Sequence, residues 1–129
     1  MARILIVDDD EMDRVLLSHV LGEAGHQLRF APDGLVALET FLREPADLVV
    51  TDIAMPELNG MQLIRALQED DPWVRIVVLS GSGATNLERA KELGALAVLE
   101  KPLNPQELLD AVNKALEGHG HWLDTLTLD

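Results

Sequence analysis

Three aspartates that directly follow apolar runs carry the first chemical signal in this sequence. Asp8 and Asp9 close the run Ile4-Leu5-Ile6-Val7, and Asp52 closes Leu48-Val49-Val50-Thr51 before the turn Ile53-Ala54-Met55-Pro56-Glu57-Leu58-Asn59-Gly60. An aliphatic run that ends in an acid and a Pro/Gly turn reads as a buried strand whose carboxyl end faces a loop. Open α/β sheets bind their ligands at that end. If the two strands are neighbours, the three carboxylates share one small volume, repel one another and invite a hard cation with oxygen ligands. Mg²⁺ suits such a site, because it is held by one or two carboxylates and keeps several waters. A carboxylate beside a bound cation can also be a nucleophile.

The whole chain narrows the choices. Its 129 residues predict one domain with a full hydrophobic core and no substantial second one. With 10 basic against 23 acidic residues, the net charge of −13 repels phosphate backbones and anionic lipid, so direct binding to nucleic acid or membrane is not expected. Cysteine is absent, which excludes disulfides and thiolate metal sites. Met-Ala-Arg leads straight into a strand rather than a signal peptide, and no apolar run approaches membrane-spanning length. A soluble cytoplasmic protein is the expectation.

The elements that must position the acids follow from periodicity. Residues 3 to 7, aliphatic from Ile4 to Val7, read as a strand buried on both faces. From about Glu11 the period becomes helical, with Met12, Val15, Leu16 and Val20 on one face, Leu17 and Leu21 widening it, and Gly25 as the stop. Asp10 is placed to cap that helix. Gln27 to Ala31 is a short second strand, followed through Pro32-Asp33-Gly34 by a helix with Leu35, Leu38, Phe41 and Leu42 inward, until Pro45. The third strand, Leu48 to Thr51, leads into Asp52, and Met61, Ile64 and Leu67 mark a third helix. Arg75 to Ser80 is the fourth strand.

The loop Gly81 to Asn86 precedes a helix with a thin apolar stripe, Leu87, Ala90 and Leu93. Leu96 to Leu99 is a fifth strand, with Lys101-Pro102 at its carboxyl end. Asn104-Pro105-Gln106-Glu107 combines an N-cap, a proline at the first helical position and an acid at the third; the last helix, with Leu108, Leu109, Val112 and Leu116 inward, is expected to end at Gly118. Residues 118–129 lack a clear period and read as a tail or linker stub after a domain of residues 1–117. Five strands alternating with five helices make an α/β protein: a doubly wound, five-stranded parallel sheet in the order 2-1-3-4-5. That order makes strands 1 and 3 neighbours, so Asp8, Asp9 and Asp52 meet, and strands 4 and 5 bring Ser80 and Lys101 to the same rim.

The acidic pair after strand 1, Asp52-x-x-Met55-Pro56-x-x-x-Gly60 after strand 3, Ser80 ending strand 4 and Lys101-Pro102 after strand 5 fall in register. Together these motifs resemble the receiver domain of two-component response regulators, a flavodoxin-like fold, from about Arg3 to Leu116. The resemblance implies that Asp52 accepts a phosphoryl group from a phosphohistidine on a sensor histidine kinase or phosphotransfer protein, and that the signal passes to a downstream effector. It implies Mg²⁺ held by the Asp9 and Asp52 carboxylates and the Ala54 carbonyl, with Asp8 acting mainly through water. Lys101 would pair with the phosphoryl oxygens, the Lys101–Pro102 bond would be cis, and Ser80 would turn inward to the phosphoryl group. The family's strand-5 aromatic, which moves with that hydroxyl, is replaced here by Val98, three residues before Lys101. The family's output surface lies on the fourth helix, fifth strand and last helix. Glu88, Arg89, Lys91, Asp110 and Lys114 give it both signs, which suits a two-fold dimer formed on phosphorylation.

Each residue also has a plainer reading. Asp52 alone is a strand-end acid, Ser80 alone a strand-end hydroxyl and Lys101 alone a solvated cation; their shared rim is what reverses these readings. Met55 and Met61 read as packing, His19 and His26 as surface residues, and His119-x-His121 as a pair without a third metal ligand. A dinucleotide or P-loop protein would need glycines where this chain has Asp8-Asp9-Asp10. An aspartyl-phosphate phosphatase would carry a second acid two residues after its nucleophile, where this chain has Ala54. A receiver-like module that only binds partners would lack one of Asp52, Lys101 or the acidic pair.

Overall fold

The computed structural model describes residues 2–53, 59–81, 88 and 90–128, with side chains through residue 117. Strands β1 (Arg3–Val7), β2 (Gln27–Ala31), β3 (Leu48–Asp52), β4 (Ile76–Ser80) and β5 (Ala97–Glu100) form one sheet in the order β2-β1-β3-β4-β5, all neighbours parallel. Helices α1 (Glu11–Glu23), α2 (Gly34–Arg43), α3 (Gly60–Asp70), α4 (helical at 90–92) and α5 (Pro105–Leu128) connect and cover the strands.

The central strands β1, β3 and β4 are aliphatic on both sides because both sides are covered. Leu5, Val7, Val49, Ile76 and Val78 pack with Ala37 and Phe41 of α2, Leu63, Ile64 and Leu67 of α3, and Ala90 of α4. The alternate residues Ile4, Ile6, Leu48, Val50, Val77 and Leu79 pack with Leu17, Val20 and Leu21 of α1 and Leu108, Val112 and Ala115 of α5. Truncating one such buried Leu or Ile to Ala costs about 2–5 kcal/mol.

Side-chain caps start the helices. Asp10 accepts from the Met12 N–H, Asp33 from the Val36 N–H, and Asn59 forms a reciprocal capping box with Gln62 at the start of α3. Asn104 accepts from the N–H groups of Gln106 and Glu107 as α5 begins. Gly25 and Gly94 end α1 and α4 with positive φ of 93° and 104°, a conformation that favours glycine.

The structure corrects several expectations. On α1, Met12 and Val15 are exposed while Leu17, Val20 and Leu21 are buried. The helix is rotated because its first turn directs Asp13 and Arg14 toward the sheet end, on the face that continues into Leu17 and Leu21 at helical spacing. On α2, Leu35 and Leu42 are exposed, and Ala37, Thr40 and Phe41 face the core with Leu38 beside them. The α5 backbone does not stop at Gly118 but continues to Leu128. A glycine lowers helix propensity by about 1 kcal/mol without removing a hydrogen bond, so it permits a stop without enforcing one. His26 is half-buried and accepts a 3.1 Å hydrogen bond from the Ala2 N–H, rather than lying free on the surface. Of the thin α4 stripe, Ala90 is fully buried and Leu93 packs beside it; Leu87 and most of the preceding loop lie outside the described residues. Among the described residues, no helix is long and apolar enough to cross a membrane.

Candidate functional site

Sheet register brings the acids together. Val7 of β1 aligns with Thr51 of β3, so the next residues along, Asp8 and Asp52, are neighbours at the carboxyl end. The Asp8 main chain is fixed by donation from its N–H to the Ala31 carbonyl at 3.2 Å, and its carbonyl accepts from the Arg14 guanidinium at 2.6 Å. One ligand oxygen from each of Asp8, Asp9 and Asp52 can be chosen so that all lie within 4.8 Å of one another.

Burial grades the three. Asp8 is fully buried, Asp52 is 6% exposed and Asp9 faces solvent. Burial pushes the Asp8 carboxyl above its ordinary pKa, while the Asp10 N–H on Oδ1 at 2.9 Å and the Lys101 ammonium on Oδ2 at 3.1 Å pull it back down. The donor set is all oxygen, as a hard divalent cation requires, and the residues present fit Mg²⁺. The Ala54 carbonyl, assigned as a further ligand from the resemblance, lies outside the described residues, as do Met55 and Pro56.

Lys101 stands among these acids. Its Nζ is 2.9 Å from Asp52 Oδ2, 3.1 Å from Asp8 Oδ2 and 2.6 Å from Asp13 Oδ2. Burial alone would lower its pKa, but the hydrogen bonds it donates to Asp13, Asp52 and Asp8 outweigh that and raise it, so the ammonium stays charged. The backbone delivers it there: the Lys101 N–H donates to the Ser80 carbonyl at 2.9 Å, and the Lys101–Pro102 peptide bond is cis.

Ser80 is buried at the end of β4, aligned with Glu100, and so shares the rim with Lys101. Val98 does not reach that rim. It lies two residues deeper, opposite Val78, and packs half-buried against the cluster that contains Ala90. Gly60 closes the β3–α3 connection by donating its N–H to the Ile53 carbonyl at 2.8 Å. The side chains of His119 and His121 lie outside the described residues.

Asp13 and Arg14 are the site residues that strand-end reasoning missed. The readable signal was their place three and four residues after the Asp10 cap, one turn before Leu17, which puts them on the inward face as it passes over the strand ends.

The sequence matches the response regulator receiver domain family over residues 4–113. It is 36% identical to sporulation initiation phosphotransferase F of Bacillus subtilis over 115 residues, 88% of this chain and 93% of that one. It is 33% identical to the DNA-binding transcriptional regulator NtrC of Azospirillum brasilense over 119 residues, which span 92% of this chain but 25% of the regulator. Among solved structures, a response regulator receiver domain protein from Clostridium thermocellum aligns with a TM-score of 0.87 at 29% identity, covering 95% of this chain and 99% of that one.

Proposed function

This chain belongs to the response regulator receiver domain family of two-component systems, and on that premise we propose that Asp52 accepts a phosphoryl group from a phosphohistidine and that the acylphosphate switches the surface around it. The observation that carries the reading is the placement of the Lys101 ammonium 2.9 Å from Asp52 Oδ2, beside an acidic cluster able to take a divalent cation. Neither a salt bridge alone nor an acidic rim alone needs both.

In this mechanism an Asp52 carboxylate oxygen attacks phosphorus. The P–O bond forms as the P–N bond breaks, and the imidazole leaves with the electron pair. Phosphoryl transfer needs positioning and charge neutralisation more than covalent help. Lys101 supplies a buried point charge that turns from the carboxylates to the phosphoryl oxygens. Ser80 donates its hydroxyl to one of those oxygens, and the strand end moves with it. Asp9, Asp52 and the Ala54 carbonyl would hold Mg²⁺, with Asp8 acting through water. When bound, Mg²⁺ neutralises charge on the acceptor and phosphoryl oxygens.

The donor in this reading is a sensor histidine kinase or a histidine phosphotransfer protein, in the cytoplasm, and the recipient of the signal is an effector protein or domain. Residues 1–117 form the phosphoacceptor unit, and the last helix continues beyond it to Leu128. The α4, β5 and α5 face, with exposed Glu88, Lys91, Asp110 and Lys114, suits a self-complementary contact in a phosphorylated dimer.

Incubation with Mg²⁺ and acetyl phosphate tests the reading against its neighbours. A slowly hydrolysing aspartyl phosphate supports it. Rapid multiple turnover would instead make the protein a phosphatase, and no adduct would leave it a binding module.

A further inference from the structure

Lys101 has three ammonium donors, and three carboxylates from three elements meet its Nζ: Asp8 after β1, Asp52 at the end of β3 and Asp13 in the first turn of α1. The shortest contact, 2.6 Å, is to Asp13. That acid belongs to neither the strand-end pair nor the acidic cluster suited to a cation.

Asp13 is also held in place. Its helix is capped by Asp10, whose own N–H donates to Asp8 Oδ1, and the next residue, Arg14, donates to the Asp8 carbonyl. The Asp13 carboxylate is four-fifths buried on a turn tied at two points to the strand end that carries Asp8. The charge is therefore a fixed part of the site and not a passing surface contact.

We propose that Asp13 is a positioning residue acting through Lys101: a built-in anion that competes with the phosphoryl group for the ammonium and, by the same charge, strengthens the hold on a divalent cation. The inference rests on the phosphoacceptor reading. An anion attached to Asp52 must win donors of Lys101 away from a carboxylate already 2.6 Å from it, whereas a cation entering among Asp8, Asp9 and Asp52 gains from a further negative charge nearby. Asp13 also ties the site to α1. When Lys101 turns to the phosphoryl oxygens, the first turn of α1 loses its ion pair, and the change reaches the surface that bears exposed Met12 and Val15.

Opposite signs make this testable, because simple damage to the site would weaken both ligands. The full chain, as wild type, Asp13→Asn and Asp13→Glu, is titrated first with Mg²⁺ alone and then with beryllofluoride at saturating Mg²⁺, following amide chemical shifts. Asp13→Asn is expected to bind Mg²⁺ roughly three- to tenfold more weakly and beryllofluoride roughly three- to tenfold more tightly, and Asp13→Glu to return both toward wild type. Beryllofluoride binding that is unchanged or weaker in Asp13→Asn would overturn the role of Asp13 while leaving the phosphoacceptor reading intact. Failure of the wild type itself to bind beryllofluoride would overturn that reading, and this inference with it.

Discussion

Gly60 lies so close to Asp52 that a Cβ at position 60 would stand 2.5 Å from the Asp52 carbonyl oxygen and 2.6 Å from the Ile53 Cα. Both obstacles are backbone, so neither can rotate away, and the glycine that ends the Asp52 motif is required by space. Alanine is ordinarily worth about 1 kcal/mol over glycine in a helix. Here the overlap reverses the sign, and Gly60→Ala is expected to lose about 1–3 kcal/mol. Urea unfolding checks this; a variant as stable as wild type would show that the β3–α3 connection is looser than described.

Mg²⁺ should stabilise the unphosphorylated protein, because it binds the folded cluster of Asp8, Asp9 and Asp52 and relieves repulsion within it. At a hundred times the Kd the gain is about 2.7 kcal/mol. Asp9→Asn should abolish most of it, and an equal thermal shift in that variant would mean that the metal binds elsewhere. Without metal, Asp52→Asn is expected to melt above wild type. Asp8, Asp13 and Asp52 share the Lys101 ammonium, with Asp9 beside Asp8 and Asp52, and removing one acid reduces the surplus of negative charge.

His26 gives a pH dependence away from the site. Burial, and after it the positive chain terminus, hold its pKa below 6.5, and the neutral ring accepts the Ala2 N–H through Nδ1. Between that lowered folded value and 6.5 the unfolded chain binds more protons. Stability from this group is therefore present above 6.5, declines as pH falls through the window and is lost below the folded value. Chemical denaturation midpoints across the window should fall more steeply with acid in wild type than in His26→Gln. Parallel curves would assign the acid sensitivity to other groups.

Val98 is short, β-branched and nearly fixed in χ1, and it lies within the sheet rather than at the rim. Its environments before and after phosphorylation should differ little in free energy, which leaves Ser80 to carry the coupling. Ser80→Ala should accept a phosphoryl group yet show no shift in the amide resonances of residues 81–98 on adding beryllofluoride. Val98→Ala should keep the pattern and lose some stability. The reverse outcome would place the coupling in β5.

Strand ends were the legible part of this chain. Asp8, Asp9, Asp52, Ser80 and Lys101 each follow an aliphatic run, and a parallel order fixes which runs are neighbours, so their meeting followed from topology. Helix faces were less legible. Met12 and Val15 match an apolar stripe as well as Leu17 and Leu21 do, and the choice between them was made by polar contacts of Asp13 and Arg14 that periodicity of apolar residues does not register. The run of α5 past Gly118 was hidden for a related reason: glycine marks a possible stop, and the backbone ignored it.

The central claim is that Asp52 takes a phosphoryl group from a P–N bond. Phosphoramidate offers such a bond as a small molecule, and site-mapped mass spectrometry after incubation with it and Mg²⁺ addresses the claim directly. The account predicts one phosphoryl group on the peptide carrying Asp52, removable by hydroxylamine as an acylphosphate must be, absent from Asp52→Asn and strongly reduced in Lys101→Ala. Phosphorylation that persists in Asp52→Asn, or a wild type that stays unmodified while Mg²⁺ is bound, would contradict it.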